Sequence, residues 1–462
     1  MTVRLLIIGG SDAGISAGLA AREHDPTAEI TLLVADAYPN FSICGIPYHI
    51  SGDVPDWRNL AHRTTADLEA AGLALKLGHL VTGINPGAHI VTTGTATFTY
   101  DRLIIGTGAL PALPAVNGLD QLGPTDGVHV LHSIGDMFTV QNSLADRQAR
   151  TAVIVGAGYI GLEMAEALAT RGVQVTLLEQ LDQVMPAIDT ELAAHLEHHL
   201  FEHGVTVHHG TKVHTIRKEH AGLTVETETG GHSADLVLVV TGVRPDTDLA
   251  AAAGADLGLR GAIVVDRRMR TNLPRVYAAG DCVHTYHRLL DQHVYLPLGS
   301  TAHKQGRVAG LNAVGGEATF AGSLGTQAVK VFDLVAAGTG LRDHTARQAG
   351  YAPVTVEATA DDHKAYYPGA TPIRIRITGD RATGRLLGAQ LLGHHGAEIS
   401  KRIDIFATAI SYRASVDDVA DLDLSYTPPL GSPWDATQLA PPPGAEASAG
   451  KTSETPWQTS HR

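Results

Sequence analysis

Cys44 is the residue best suited to redox chemistry. It opens the segment Cys44–Tyr48, where Gly45 and Pro47 are compatible with a helix that begins just after the sulfur. A thiol at a helix N-terminus is shifted towards the thiolate, the nucleophilic form. The other cysteine, Cys282, lies far along the sequence and is interpreted as a packed bystander. Cys44 is therefore predicted to react through a mixed disulfide, persulfide or sulfenic acid. A buried structural cysteine is the alternative interpretation.

A complete G-x-G-x-x-G pattern is formed by Gly156, Gly158 and Gly161 between an apolar strand and a helix. The first glycine permits a tight turn, the second lets a pyrophosphate approach the backbone, and the third lets the helix pack on the strand. Glu179 ends the next strand, where an acidic side chain accepts hydrogen bonds from an adenosine ribose. Because no arginine sits beside Glu179 to hold a 2′-phosphate, the pattern predicts nicotinamide nucleotide binding, with NADH favoured over NADPH.

The amino-terminal residues repeat this strand, turn and helix plan less regularly. Gly9 and Gly14 take the first and third positions of the pattern, but Ser11 replaces the middle glycine. The next strand ends in Val34-Ala35 instead of an acid, so Asp36 is the residue predicted to reach the ribose. If it does not, backbone contacts would hold the adenosine. The repeat predicts a second dinucleotide site.

Two further glycine turns follow apolar strands, where an open sheet brings its backbone close to a ligand. They are Gly106-Thr107-Gly108 and Gly280-Asp281. From Gly325 the sequence changes to alternating strands and a helix near residues 400–411, which indicates a separate α+β domain. Beyond about residue 440 a run rich in proline, serine and alanine has no core pattern and is predicted to be disordered.

These motifs and the cysteine segment together carry a resemblance that covers about residues 3–438. The sequence resembles the single-cysteine branch of the FAD-dependent pyridine nucleotide-disulfide oxidoreductases, which contains coenzyme A-disulfide reductases, NADH oxidases and NADH peroxidases. The segments that carry the resemblance follow one another along the chain at residues 44–48, 106–108, 159–163, 279–281, 325–326, 330–332, 366–369, 401–404 and 426–429.

The resemblance implies an α/β fold with two Rossmann-like dinucleotide-binding domains, one for FAD and one for NAD(P)H, and a C-terminal α+β dimerisation domain. We expect residues 1–112 and 245–322 to bind FAD and residues 113–244 to bind NADH or NADPH. Residues 323–440 are expected to form a homodimer, and residues 441–462 a disordered tail.

The resemblance also implies roles for individual residues. Asp281 is expected to hydrogen-bond the flavin ribityl chain, and Glu163 to lie near the flavin and the nicotinamide, where hydride passes. Tyr366 or Tyr367, together with Tyr426, matches tyrosines that coenzyme A-disulfide reductases project from the partner subunit towards the cysteine. A phenol can donate a proton to a leaving thiolate, with interface packing as the alternative role.

Several positions depart from the related enzymes. His49 stands where two-cysteine disulfide reductases carry their second cysteine, so Cys44 has no internal disulfide partner. Asp12 replaces the catalytic histidine of NADH peroxidases and oxidases, which argues against peroxide or oxygen chemistry and would raise the pKa of a nearby thiol. Asn40 and Ile43 replace a serine and an asparagine of coenzyme A-disulfide reductases, so coenzyme A is an analogy here.

Composition narrows the range of partners. A net charge of −14 without a clustered basic segment opposes binding to nucleic acid or to an anionic membrane. The sequence has no uncharged apolar run of about 18 residues, and its start reads as a buried strand, so we expect a cytoplasmic protein that acts on small molecules. The 25 histidines include pairs such as His198-His199, but none has carboxylate or cysteine partners at ligand spacing, so no metal site is predicted.

The sequence therefore predicts an NAD(P)H-dependent flavoprotein that reduces a low-molecular-weight disulfide or persulfide through Cys44. One alternative is an NADH oxidase or peroxidase, which would cycle Cys44 through sulfenic acid. Another is a ferredoxin reductase-like electron-transfer flavoprotein, which needs no cysteine. Reduction of metal or metalloid ions is a third, although the paired cysteines that such ions usually need are missing.

Overall fold

The computed structural model describes residues 2–220 and 222–439. The described residues form two compact units, which divide between Thr339 and Gly340. The tail that we predict to be disordered, residues 441–462, lies outside the described residues. Within the described ranges, no helix is both long and apolar enough to cross a lipid bilayer.

The first part of the chain alternates strands with short helices. In order, its elements are β1 (Arg4–Ile8), α1 (Asp12–His24), β2 (Glu29–Leu33), α2 (Ile46–Ser51), α3 (Thr65–Ala70), β3 (Ala74–Lys76), β4 (Val81–Asn85), β5 (Ile90–Thr93), β6 (Thr97–Thr99), β7 (Arg102–Ile105) and β8 (Ala109–Pro111). The apolar run of β1 is buried from Leu5 to Ile8, as expected for a strand covered on both faces. Accordingly, β2 and β7 flank β1 and pair with it in parallel.

The middle part builds a second parallel sheet. Its elements are β9 (Val128–His129), α4 (Ile134–Asp146), β10 (Thr151–Val155), α5 (Tyr159–Thr170), β11 (Gln174–Leu178), α6 (Thr190–Glu202), β12 (Thr206–His208), β13 (Val213–Glu219), β14 (Gly222–Thr227), β15 (Gly230–Ala234), β16 (Leu236–Val239) and β17 (Val243–Pro245). The sheet has the strand order β12-β11-β10-β16-β9. An antiparallel sheet of β13, β14 and β15 shares a core cluster with it, in which Val225 meets Val153 and Val237.

The chain then returns to the first sheet. The remaining elements of this part are α7 (Asp248–Ala252), β18 (Val276–Ala278), β19 (Thr285–His287), β20 (Gln292–Val294), α8 (Gly299–Ala313), β21 (Gln327–Val331) and β22 (Leu334–Gly340). The first sheet has the order β18-β7-β1-β2-β3, so a strand formed after residue 275 completes a sheet that begins at residue 4. The second parallel sheet is therefore an insertion within the first.

Helices α1 and α8 cross in close contact because small residues line both of them. A Cβ atom on Gly306 would lie 2.2 Å from the carbonyl oxygen of Ala13, and one on Gly310 would lie 2.0 Å from that of Ala17. No side chain fits at these separations, so the two glycines are required for the crossing. The contact holds α8 against the start of α1, where the first glycine turn ends.

The second unit is an α+β layer. Its elements are α9 (Asp343–Gln348), β23 (Pro353–Asp361), β24 (Pro372–Asp380), β25 (Leu386–His394), α10 (Ile399–Ser411) and α11 (Val416–Ala420). Strand β24 pairs antiparallel with both β23 and β25. A buried ion pair between Arg402 and Asp435, 2.9 Å apart, fixes α10, and Arg402 also donates to the carbonyl of Asp362. The predicted mixed α/β fold class with a C-terminal α+β part is confirmed.

Candidate functional site

The first glycine turn is closed by contacts between backbone atoms. Gly9 has a φ of +114°, and a Cβ atom there would lie 2.1 Å from the carbonyl oxygen of Gly106. A Cβ atom on Gly14 would lie 2.1 Å from the carbonyl oxygen of Gly9. The turns after β1 and β7 therefore touch, and Ser11 caps α1 without a side-chain hydrogen bond. The free N–H groups at the start of α1 suit a phosphate.

In the second glycine turn, two glycines are needed for close packing and the middle one borders open space. Gly156 has a φ of +108°, and a Cβ atom on it would lie 2.6 Å from the carbonyl oxygen of Val240. A Cβ atom on Gly161 would lie 2.0 Å from the carbonyl oxygen of Gly156, whereas one on Gly158 would meet nothing within 4 Å. The protein itself thus requires the first and third glycines, and the middle one leaves open space at the start of α5.

Glu179 is buried, and its carboxylate stabilises the second glycine turn through hydrogen bonds with backbone N–H groups. Its Oε2 accepts a hydrogen bond of 2.7 Å from the backbone N–H of Ala157, and its Oε1 accepts one of 2.9 Å from Leu181. Each carboxylate oxygen keeps a second lone pair. The sequence reasoning gave Glu179 a ribose contact only and missed this bracing of the turn.

A cavity of about 550 Å³ lies at the carboxyl ends of β1, β2 and β7. Its lining includes Gly9, Leu33, Ala35, His79 and Thr107. Such a crevice is where open parallel sheets bind ligands. The hydroxyl of Thr107 donates to the carbonyl of Asp246 and so fixes the turn after β7.

Asp36 lies two residues beyond Leu33–Val34 and is exposed. Its Oδ1 accepts a hydrogen bond of 2.8 Å from the backbone N–H of Tyr38, which forms a local turn. Asp36 is not among the residues that line the 550 Å³ cavity, although its neighbour Ala35 is. The ribose contact of Asp36 stays a prediction.

Cys44 lies within a 3-10 turn, Ile43–Gly45, and is exposed. Although solvent reaches the side chain, surrounding protein atoms desolvate the sulfur and raise the pKa of its thiol, and negative charges on Glu163, Asp12 and Asp281 raise it further. The predicted shift towards thiolate is therefore wrong for this chain. Helix α2 begins only at Ile46 and has six residues, so it offers little to oppose three carboxylates.

Cys282 is fully buried, and its sulfur lies 3.4 Å from the carbonyl oxygen of Ala279. Burial raises the pKa of its thiol to about 11. It is a packed core residue, as the sequence interpretation had it.

Glu163 on α5 is the acid next to the cysteine segment. Burial raises the pKa of Glu163 to about 7; a hydrogen bond from Tyr48 opposes the shift, Glu166 adds to it and Lys330 opposes it. The hydroxyl of Tyr48 lies 3.4 Å from Oε1 of Glu163, and Lys330 pairs with Glu166 and lies 5.7 Å from the centre of the Tyr48 ring. A carboxyl group that titrates near neutrality can either give or accept a proton.

Asp281 and Asp12 form a second acidic pair near Cys44. Burial raises the pKa of Asp281 to about 6, and the charge of Asp12 adds to the shift. The Asp281 carboxylate accepts no hydrogen bond from the part of the chain that the structure describes. The Asp12 carboxylate lies 3.4 Å from Nε2 of His303 on α8. Gly280, with a φ of +88°, turns the backbone directly before Asp281.

The three predicted tyrosines lie in the second unit and are exposed. Tyr366 is 73% exposed, and Tyr367 and Tyr426 are each 44% exposed. Desolvation and a hydrogen bond with Tyr366 raise the pKa of the Tyr426 phenol. Tyr367 instead packs against the ring of His363, with 5.7 Å between ring centres. The fold thus brings Tyr366 and Tyr426 together as a pair.

Sequence reasoning missed Tyr48, Glu166 and His303 as partners of the predicted residues. Tyr48 and Lys330 fall in segments that carried the family resemblance, which was the only signal for them. Glu166 is three residues after Glu163 and therefore shares its helix face. His303 is 291 positions from Asp12 along the sequence, and nothing in the sequence links the two.

Comparison with known proteins gives concordant matches along the chain. Residues 3–306 match the family model "Pyridine nucleotide-disulphide oxidoreductase", and residues 326–436 match its dimerisation domain. The CoA-dependent NAD(P)H sulfur oxidoreductase of Pyrococcus furiosus is 33% identical over 436 residues, which is 94% of this chain and 97% of the relative.

Two solved structures are similar over most of this chain. An NAD-dependent persulfide reductase from A. fulgidus superposes with a TM-score of 0.89 at 35% identity, covering 94% of this chain and 82% of the other. A water-forming NADH oxidase from Lactobacillus brevis, bound to NADH, superposes with a TM-score of 0.88 at 27% identity, covering 95% and 97%.

Proposed function

The chain belongs to the pyridine nucleotide-disulphide oxidoreductase family, and from that membership we propose that it reduces a low-molecular-weight disulfide or persulfide through Cys44. The cofactors of this family are FAD and NAD(P)H, and we expect NADH to be preferred here. The observation that carries the proposal is the single exposed thiol of Cys44 near the partly buried acid Glu163, with His49 in place of a second cysteine.

The domain assignment follows from the two parallel sheets. We assign residues 1–112 and 245–322, which contain all strands of the first sheet, to FAD binding, and residues 113–244, which contain the second, to NAD(P)H binding. Residues 323–440 are assigned to dimerisation. The chain carries the dimerisation domain of its family, which supports a homodimer.

The residues present fit both nucleotides. The first glycine turn, with Gly9, Ser11 and Gly14, would hold the FAD pyrophosphate, and Asp36 its ribose. Within the turn 106–108, Thr107 lines the same cavity, and Gly280 lies against Ala13 at the start of α1. The carboxylate of Asp281 has no protein hydrogen-bond donor among the described residues, so it is available to accept a ribityl hydroxyl.

The nicotinamide nucleotide fits the second turn for the same kind of reason. The open space beside Gly158 leaves room for a pyrophosphate at the start of α5. Gly156 and Gly161 shape the turn, and Glu179 braces it from the side where a ribose would lie. When bound, the flavin supplies hydride acceptance from the nicotinamide and a two-electron donation to sulfur.

Cys44 can reduce a disulfide R–S–S–R′ in two steps in which atoms and electrons balance. The Cys44 thiolate attacks one sulfur, the S–S bond breaks, and R′–S⁻ leaves and is protonated, so that a mixed disulfide forms on Cys44. Two electrons then cleave the mixed disulfide, R–SH leaves after taking a proton, and the Cys44 thiolate returns. The net reaction consumes one NADH and one proton and yields two thiols and NAD⁺.

Protons for the leaving thiols come from the groups around the sulfur. Glu163, with a pKa of about 7, can exchange a proton near neutral pH on the Tyr48 side. We further propose that Tyr366 and Tyr426, paired and exposed, act as donors across the dimer, with Tyr367 as their neighbour.

The test is rapid-mixing measurement of NADH oxidation by the FAD-loaded protein, with coenzyme A disulfide, coenzyme A persulfide, other disulfides, peroxide or oxygen as the acceptor. Wild type is compared with Cys44→Ser and with Cys282→Ala, the matched control at the buried cysteine. Turnover with one sulfur compound that Cys44→Ser abolishes and Cys282→Ala retains supports the proposal. Equal turnover in all three proteins would favour an electron-transfer flavoprotein, and turnover with oxygen alone would favour an NADH oxidase.

A further inference from the structure

A cluster of metal-ligating side chains lies away from the redox site, where the end of α6 meets the turn between β21 and β22. His199 lies in the last turn of α6, His203 follows the helix directly, and Asp333 belongs to the β21–β22 turn. The potential ligand atoms of these three residues all lie within 4.8 Å of one another. Nε2 of His199 is 2.6 Å from a carboxylate oxygen of Asp333.

The two histidines are oriented as metal ligands are. They are four positions apart, so they project from the same face. Nδ1 of His203 lies 2.9 Å from the carbonyl oxygen of His199, to which it can donate, and this fixes the tautomer that leaves Nε2 as a lone-pair donor. Nδ1 of His199 lies 3.6 Å from a carboxylate oxygen of Glu202. A carbonyl or carboxylate on the other ring nitrogen is the usual support of a ligating histidine.

A second observation points to a missing ligand. Nε2 of His199 is buried and makes no hydrogen bond of acceptable geometry, although an Asp333 oxygen is near it. A buried ring nitrogen without a hydrogen bond is unfavourable, and a bound cation would satisfy the lone pair of Nε2.

The turn that supplies Asp333 is held in place by other contacts. Phe332 has a φ of +53°, a left-handed conformation that is costly for a bulky residue. Its N–H donates to Glu166 over 2.8 Å, and its ring stacks on His203 with 4.0 Å between centres. The strain is thus sustained by α5 and by the histidine itself, and it keeps Asp333 facing α6.

We infer that His199, His203 and Asp333 bind one divalent transition-metal ion of the zinc class, with water completing the coordination. Two imidazoles and one carboxylate suit zinc and its neighbours, whereas calcium and magnesium prefer oxygen ligands alone. The ion would join the end of α6 to the hairpin that carries Lys330, the partner of Glu166. This site lies outside the chemistry proposed for Cys44 and does not depend on it.

The test uses the FAD-loaded, metal-stripped protein and Zn²⁺ or Co²⁺ as the probe. Zinc affinity is measured by competition with a chromophoric chelator, and Co²⁺ is followed by its visible d–d absorption. Wild type is compared with His203→Ala and Asp333→Asn. His214→Gln is the matched control, because His214 is an exposed histidine with a carboxylate partner, Glu228, in the same unit.

The expected result is one tight equivalent of Zn²⁺ per chain, weakened about tenfold or more in His203→Ala and in Asp333→Asn and unchanged in His214→Gln. Retained FAD absorbance shows that the variants are folded. The d–d band of Co²⁺ should likewise be lost in His203→Ala. Zinc affinity that is the same in all four proteins, or binding that never reaches one equivalent in the wild type, would overturn the inference.

Discussion

The phenol oxygen of Tyr48 lies 3.4 Å from Oε1 of Glu163, which connects the helix after Cys44 to the helix after the second glycine turn. Burial raises the pKa of both groups, and the charge of Glu163 raises the pKa of Tyr48 further. The hydrogen bond from Tyr48 acts in the opposite direction on Glu163 and lowers the pKa of its carboxyl. The negative charge of Glu163 also acts on Cys44. The Glu163 carboxylate therefore influences both the Cys44 thiol and the Tyr48 phenol.

Removing that charge should lower the pKa of Cys44. Glu163→Gln keeps the shape of the side chain and takes away one of the three carboxylate charges that raise the thiol pKa. We expect the midpoint of iodoacetamide alkylation against pH to fall, because one of the negative charges that disfavour the thiolate is gone. Glu197→Gln, at a half-buried acid on α6 that lies 3.7 Å from His209, is the control and should leave the midpoint in place. A midpoint that does not move in Glu163→Gln would show that Glu163 does not contribute to the raised pKa of Cys44.

Binding of FAD should weaken in acid because Asp281 must be ionised to accept a hydrogen bond. Burial raises the pKa of Asp281 to about 6. Above that pH the carboxylate is ready to bind, and below it a proton must first be lost, so the FAD dissociation constant should rise as the pH falls through about 6. Fluorescence quenching of FAD titrated with apoprotein measures this.

The matched variant for this prediction is Asp281→Asn, which cannot titrate. Its FAD affinity should be weaker than that of the wild type at neutral pH and should change little between pH values on either side of 6. If wild type and variant show the same pH profile, another group controls FAD binding.

Substitution of the middle glycine of the second turn should affect nucleotide binding, whereas substitution of the third should affect stability. Gly158→Ala adds a methyl group into open space at a φ of −77°, so stability should be preserved while the KM for NADH rises about tenfold. Gly161→Ala would place its Cβ atom 2.0 Å from the carbonyl oxygen of Gly156. We expect this clash to lower the free energy of unfolding by about 1–3 kcal/mol. Thermal melts and steady-state kinetics on both variants check this. An unchanged KM for NADH in Gly158→Ala would show that the pyrophosphate does not bind beside Gly158.

Loss of a tyrosine hydroxyl should slow only the sulfur half of the reaction. Tyr366→Phe and Tyr426→Phe are each expected to lower kcat with the disulfide about 10- to 100-fold, because a proton donor for the leaving thiolate is lost. Flavin reduction by NADH in single turnover should stay unchanged. Tyr412→Phe, at a tyrosine that is 84% exposed in the same unit, is the control. If kcat is unchanged in both variants, Tyr366 and Tyr426 have a packing role and do not donate protons.

Local patterns were sufficient for the fold and for the two glycine turns. The apolar runs at β1 and β10, and the glycines that follow them, act through neighbours in sequence, so their strands, turns and helices were predicted. The pKa of Cys44 was predicted in the wrong direction, because it depends first on desolvation by the surrounding protein and then on charges such as those of Glu163 and Asp281. These groups are distant in sequence and come close to Cys44 only in the folded chain. The same holds for Asp333, which meets His199 from another part of the chain.

The crossing of α1 and α8 also constrains how the molecule is made. Gly306 and Gly310 pack on residues near the start of the chain, and β18 completes the sheet that β1 begins. During synthesis, all strands of the second parallel sheet have emerged before β18 and α8 exist, so the inserted domain can fold while the domain around it is still incomplete. A chain released after β17 would therefore have a complete second parallel sheet and an incomplete first sheet, with the edge of β7 exposed for pairing with other chains.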